Sequence, residues 1–310
     1  MAWLILPVVL LVMPMDPWQL GVIACLYLAM GFGYLDDKSE LPWGEWRKGL
    51  LDLAVAVAAA MCISHCEPVK MWLPFHARVA VIDGIRQVAP FVVPLWIYLP
   101  LATGLLWFTM NATNCSDGVD GLAGTLTLLS LFELVALLYG VVGYRPLADY
   151  LLLPHNPDGA SWAILVATVA GALAGYLWHN AEPSRVMMGD AGSRMLGLLV
   201  GVAVLALGNP VLVLVVSPVV LVNGGTGLLK LLLLRLLKRV GFDITPPAKA
   251  TPDASAAQHT LVRVLHAVRF PLHDHCRKNL QWSNAQVLMR FVLIQAFLTP
   301  VLLVLLLKVR

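Results

Sequence analysis

Apolar residues come in long blocks along this chain, and polar residues gather in short strings between them. Nine blocks approach the roughly 20 residues that a membrane-spanning helix needs. They are 2–15, 18–35, 49–64, 92–111, 121–143, 160–179, 194–207, 210–234 and 286–307. The first holds Pro7 and Pro14; without a basic leader it reads as a retained membrane segment, not a cleavable signal peptide. The third is interrupted by Asp52. No charge occurs from Met195 to Leu229, a stretch too long for one crossing. Gly208-Asn209-Pro210 supplies the break, because proline ends a helix and Gly-Asn turns the chain. The pattern predicts an all-α, polytopic integral membrane protein of about nine transmembrane helices, forming one domain over residues 1–310.

The Lys and Arg residues divide unevenly among the connections. Thirteen follow even-numbered blocks, and six follow odd-numbered blocks or lie in the tail. Cytoplasmic loops carry the excess of positive charge, so the even connections are expected in the cytoplasm. The longest of these, about 236–285, begins with a Pro/Ala/Thr-rich loop. It continues into Ala256–Phe270, where Leu261, Val262, Leu265 and Val268 fall near helical spacing, which predicts a short amphipathic helix on the membrane surface.

Composition narrows the class further. The chain has 310 residues, of which 59% are hydrophobic and 13% charged, and the mean hydropathy is +0.80. Such a chain cannot hide its apolar surface in one soluble core. The net charge of +3 without a dense basic patch argues against nucleic acid as a partner. Five scattered cysteines do not form a disulfide framework. Cys62, His65, Cys66 and His76 do not match a standard zinc spacing.

The acids carry the chemistry. Four strings follow even-numbered blocks and so are expected on one face. They are Asp36-Asp37-Lys38, Asn111 to Gly121 with Asn114, Asp117 and Asp120, Arg185 to Ser193 with Gly189 and Asp190, and His273-Asp274-His275. Any one Asp beside a Gly reads equally well as a helix cap. Five carboxylates converging on one side would repel one another, and a hard divalent cation relieves that cost; oxygen ligands favour Mg²⁺. Carboxylates, a metal, glycine-lined N–H groups and nearby cations are the parts that phosphoryl transfer requires. A membrane setting implies one lipid substrate, and a cytoplasmic site admits a nucleotide compound as the other. Glu133, in mid-block, reads as functional or as an internal hydrogen-bonding residue. Cys115 has no histidine beside it to activate it.

In this order the four strings resemble the polyprenyl-phosphate N-acetylhexosamine-1-phosphate transferase superfamily. Asn111–Leu122 and Met188-Gly-Asp-Ala-Gly-Ser193 are the most specific. His273-Asp274-His275, with Trp282 and Val287–Phe291, looks like the branch that makes the first lipid intermediate of peptidoglycan. The resemblance implies Mg²⁺-dependent transfer of phospho-MurNAc-pentapeptide from UDP-MurNAc-pentapeptide to undecaprenyl phosphate, in the inner membrane of a bacterium, by a homodimer. It implies Asp190 and Asp117 as metal ligands, and Asp36 and Asp37 at the diphosphate and lipid phosphate. Asn114, Asp117, Asp120, Asn180, Met187 and Gly189 would lie on the nucleotide side, with His273 and His275 at the phosphates or sugar.

The chain also departs from that pattern. Members usually have ten spans, and the first, with the lysine-bearing segment after it, has no counterpart; this points to a misassigned start or a short subfamily. Met187 stands where a phenylalanine commonly stacks on uracil, Asp274 replaces a middle histidine, and Asn223 and Lys230 stand where Glu and Gln are frequent. Two related readings stay open: a sister enzyme using UDP-N-acetylglucosamine, and a non-catalytic or transporter paralogue.

Overall fold

A computed structural model describes Pro7 and residues 15–41, 43–72, 79–82, 85–88, 91–151, 153–242, 244 and 260–308. In chain order the long helices are α1 Pro17–Lys38, α2 Glu45–Ser64, α3 Leu95–Ser116 and α4 Leu122–Val135, which a π-helical stretch, Ala136–Val142, continues. After the short α5 Arg145–Tyr150 come α6 Gly159–Asn180 and α7 Gly189–Ala206. A broken run follows: the 3₁₀ turn Pro210–Leu212, α8 Val213–Val216, α9 Pro218–Val220, the π turn Leu221–Gly225 and α10 Thr226–Arg239. The chain closes with α11 Thr260–Ala267, α12 Leu272–Lys278 and α13 Asn284–Lys308.

Among the described residues, seven helices are long and apolar enough to cross a membrane, and the protein is multi-pass. Two of the nine expected spans are not among these seven. The block 2–15 lies almost wholly outside the described residues. The block 49–64 does form a long helix, α2, whose first two turns carry Glu45, Arg47, Lys48 and Asp52. The break at Gly208-Asn209-Pro210 is observed, with Gly208 at a φ of 70°.

The all-α expectation also needs correction. Between α2 and α3 lie four short strands: β1 Val69–Met71, β2 Val79–Ile82, β3 Ile85–Val88 and β4 Phe91–Val93. They pair antiparallel as β1–β4, with Val69 opposite Val93, and β2–β3, with Val79 opposite Val88. Val and Ile suit a pleated surface, but three or four residues are invisible to a search for 20-residue blocks. The amphipathic helix placed at Ala256–Phe270 is shorter: α11 ends at Ala267, and residues 256–259 lie outside the description.

Helix α7 forms the centre. In its apolar stretch 72% of residues are buried, against 22–44% for the other six spans. It packs on α1 and α3 most extensively, and α2 packs on both of those. At Gly33 an added Cβ would lie 2.5 Å from the backbone of Asp190 and Ala191. Lack of a side chain there lets α1 close onto the first turn of α7, one turn before Asp36 and Asp37. A second apolar cluster, including Val119, Leu122, Val220, Cys276 and Val287, fastens α12 and α13 to the start of α4.

Candidate active site

The four polar strings meet at one end of the bundle. Helix α7 begins at Gly189, five residues before the expected block, so Asp190 and Arg194 occupy its first turns rather than a loop. The free N–H groups of a helix start attract anions. Asp37 Oδ2 accepts the Ala191 N–H at 3.3 Å, and the Asp117 carboxylate receives the Gly189 N–H. Asp190 Oδ1 accepts Asn114 Nδ2 at 2.8 Å, and that amide also donates to Ser193 Oγ at 3.0 Å.

The cations interleave with these acids. Lys48 Nζ lies 2.5 Å from Asp36 Oδ2 and 3.4 Å from Asp190 Oδ2. Arg194 donates to Asp190 Oδ2 at 2.8 Å and to Asp52 Oδ1 at 3.1 Å. Asp36 is buried and doubly held, because the Trp43 N–H also reaches its Oδ1 at 3.0 Å. Asp37, beside it, is exposed.

Asp117 is half-buried between α3 and α4. Burial, then the charges of Asp190 and Asp120, push its carboxyl up to about 6, against the favourable Gly189 N–H. Asp120 is tied to the α6–α7 connection, accepting from Ser184 Oγ at 2.9 Å and Ser184 N at 3.2 Å. Asn180 is buried and spans the same gap. Its Oδ1 accepts the Gly121 N–H at 2.8 Å, and its Nδ2 donates to the Val186 carbonyl at 2.7 Å. Met187 is 82% exposed at the lip. At the end of α6, Trp178, His179, Ala181, Pro183 and Arg185 line a cavity of about 270 Å³.

The histidine string joins from α12. His273 is 4% exposed, and an added Cβ on Gly118 would collide with its Nε2. Burial holds this imidazole below the usual histidine range; Asp274 opposes the shift, and Arg277 and Lys278 reinforce it. His275 Nδ1 accepts the Arg269 N–H at 3.3 Å, and Asp274 pairs with Lys278 at 2.8 Å.

Sequence reasoning singled out the acids but not Lys48, Arg194 or Asp52 as site residues. Spacing offered one signal: Arg194 lies four residues after Asp190, which is neighbouring on a helix face. Among the described residues, no three His, Cys, Asp or Glu groups stand close enough to form a ready metal cage.

The glycosyl transferase family 4 profile matches residues 19–208. A Treponema pallidum protein named phospho-N-acetylmuramoyl-pentapeptide-transferase is 45% identical over 281 residues, covering 90% of this chain and 68% of that one. The chain belongs to glycosyl transferase family 4. A protein of the same name from Gemmatimonas aurantiaca is 29% identical to this family 4 member over 302 residues, covering 92% of this chain and 70% of that one. The family match runs from α1 to just past the end of α7, so it includes the three acid strings but not α12.

Gly189 offers a direct probe of this family 4 site. Its φ is 64°, and an added Cβ would lie 2.5 Å from Asp37 Oδ2. A left-handed non-glycine residue costs about 1–2 kcal/mol, and here Asp37 must also move. Gly189→Ala is expected to lower turnover at least about tenfold while the protein still folds. Wild-type turnover in that variant would show that the placement of Asp37 is immaterial.

Proposed function

We propose that this protein transfers phospho-MurNAc-pentapeptide from UDP-MurNAc-pentapeptide to undecaprenyl phosphate, releasing UMP and forming undecaprenyl-diphospho-MurNAc-pentapeptide. The observation that carries this is the meeting of Asp37, Asn114 and Asp117 with Gly189–Ser193 at one helix start, with Asp36 joined to Asp190 through Lys48 and His273 packed against Gly118. The name borne by the relatives supports the same reaction. The charge distribution supports placing this end in the cytoplasm, the bacterial relatives support an inner-membrane setting, and the family resemblance extends the reading to a homodimer.

The donor set suits Mg²⁺. This ion is commonly held by one or two carboxylates plus substrate phosphates, not by a full protein cage. Asp117 and Asp190 provide two; burial raises Asp117 most, and the further push from the charges of Asp190 and Asp120 is the kind a cation relieves. Bound there, Mg²⁺ would take up charge on the phosphate oxygens. The remaining steps belong to the chain's own side chains. Lys48 and Arg194, braced by Asp36 and Asp52, supply fixed positive charge beside Asp190. Exposed Asp37 is the better placed of the paired aspartates to meet the lipid phosphate, since buried Asp36 is committed to Lys48 and Trp43. Asn180 and Asp120 clamp the α6–α7 connection, so that Met187 and Trp178 stand at the nucleotide side.

The test is UMP release by purified protein in detergent, with undecaprenyl phosphate and either UDP-MurNAc-pentapeptide or UDP-N-acetylglucosamine. Preference for the first is expected. Preference for the second would assign the sister reaction, and no release from either would overturn the enzymatic reading. EDTA is expected to abolish release and added Mg²⁺ to restore it; undiminished activity in EDTA would remove the metal from the proposal.

A further inference from the structure

Asn223 lies in the π turn Leu221–Gly225 and is 1% exposed. Single π turns inside helices often mark functional positions. Its Oδ1 faces α12 and meets two groups of one residue: the His273 backbone N–H at 2.9 Å and the His273 ring Nδ1 at 3.2 Å. The backbone N–H can only donate. It therefore requires the oxygen, not the nitrogen, of the Asn223 amide on that side. The same oxygen then requires a proton on Nδ1. A neutral imidazole with its proton on Nδ1 has a bare lone pair on Nε2.

The position of Nε2 is also set. It rests against Gly118, the residue after Asp117, in a space that any larger residue would fill. His273 is the second residue of α12, so its N–H is among those a helix start leaves unpaired. The preceding Pro271 has no side chain to accept it. One amide oxygen from another helix thus closes the start of α12 and orients the ring.

We propose that Asn223 is a positioning residue for the transfer: it locks His273 as the Nδ1–H tautomer and so presents Nε2, held against Gly118 beside Asp117, as an acceptor for a substrate O–H. The proposal rests on the reaction assigned above for its kinetic consequences, but the tautomer can be read without turnover.

The first measurement is the ¹⁵N spectrum of the histidine-labelled full chain in detergent, with the His273 signals assigned by their loss in His273→Gln. The Nδ1–H form is expected. An Nε2–H form in the wild type overturns the proposal, whether or not UMP is released. The second compares Asn223→Leu, which removes the acceptor, with Asn223→Asp, which keeps it. Asn223→Leu is expected to shift His273 toward the Nε2–H tautomer. It should lower kcat about 10–100-fold, as loss of an outer supporting partner does, with KM for the UDP substrate changed less than about threefold; Asn223→Asp should recover most of kcat. An Asn223→Leu protein that melts like the wild type yet keeps its tautomer and kcat overturns the proposal. So does an Asn223→Asp protein that folds but fails to recover. If Asn223→Leu does not fold, the wild-type spectrum and the Asp variant still decide.

Discussion

Asp190→Asn is expected to lower UMP release at least about 100-fold, the scale on which a single pre-placed charge-stabilising group acts. The substitution keeps size and shape. It also leaves the local framework largely standing, because Arg194 retains Asp52 at 3.1 Å and Lys48 retains Asp36 at 2.5 Å. What disappears is the negative charge where α7 begins, opposite the Asn114 amide. The loss should fall on kcat with little change in melting temperature. Turnover close to wild type would falsify the role of Asp190 as a ligand.

Arg194→Met is expected to act on stability. Arg194 is 3% exposed and Asp52 is 1% exposed, and the two pair across the α2–α7 contact. Taking away the cation leaves the buried Asp52 with the neighbouring Asn111 amide but without its paired charge. Breaking one side of a buried pair typically costs about 3–5 kcal/mol. Thermal unfolding in detergent should show a clear drop. The double variant Arg194→Met/Asp52→Leu should melt nearer the wild type than Arg194→Met does, because it removes the stranded carboxylate. Equal melting of Arg194→Met and wild type would mean that the pair contributes nothing to holding the two helices together.

Hydrophobic blocks and acid strings are one-dimensional signals, and so the spans around α1, α3, α4, α6 and α13 could be read directly. Strings such as Asp36-Asp37 and Asp117 to Asp120 were visible for the same reason: charges are rare in so apolar a chain. The start of α7 was misplaced because Gly189-Asp190-Ala191-Gly192-Ser193 has the composition of a turn, whereas packing against Gly33 keeps it helical. Lys48 and Arg194 read as ordinary topogenic cations; Arg194 has Asp190 one helical turn away, but the pairings of Lys48 with Asp190 and of Arg194 with Asp52 span 142 residues, and only the fold discloses them. Asn223 and His273 are 50 residues apart and depend on a helix irregularity that no hydrophobic period records. The strands between α2 and α3 were lost to their shortness.

Helix α7 fills the middle of the bundle and starts at the reacting end, so it works as a rod with the chemistry mounted on its tip. An ångström of slide along its axis would be felt in full at the 2.8 Å contact between Asp190 and Asn114. Residues deep in the bilayer therefore inherit a share of the catalytic tolerance. Where Gly197 nests against the Thr109 backbone of α3, a bulkier side chain would act as a shim, detuning a reaction about two turns away without touching a substrate.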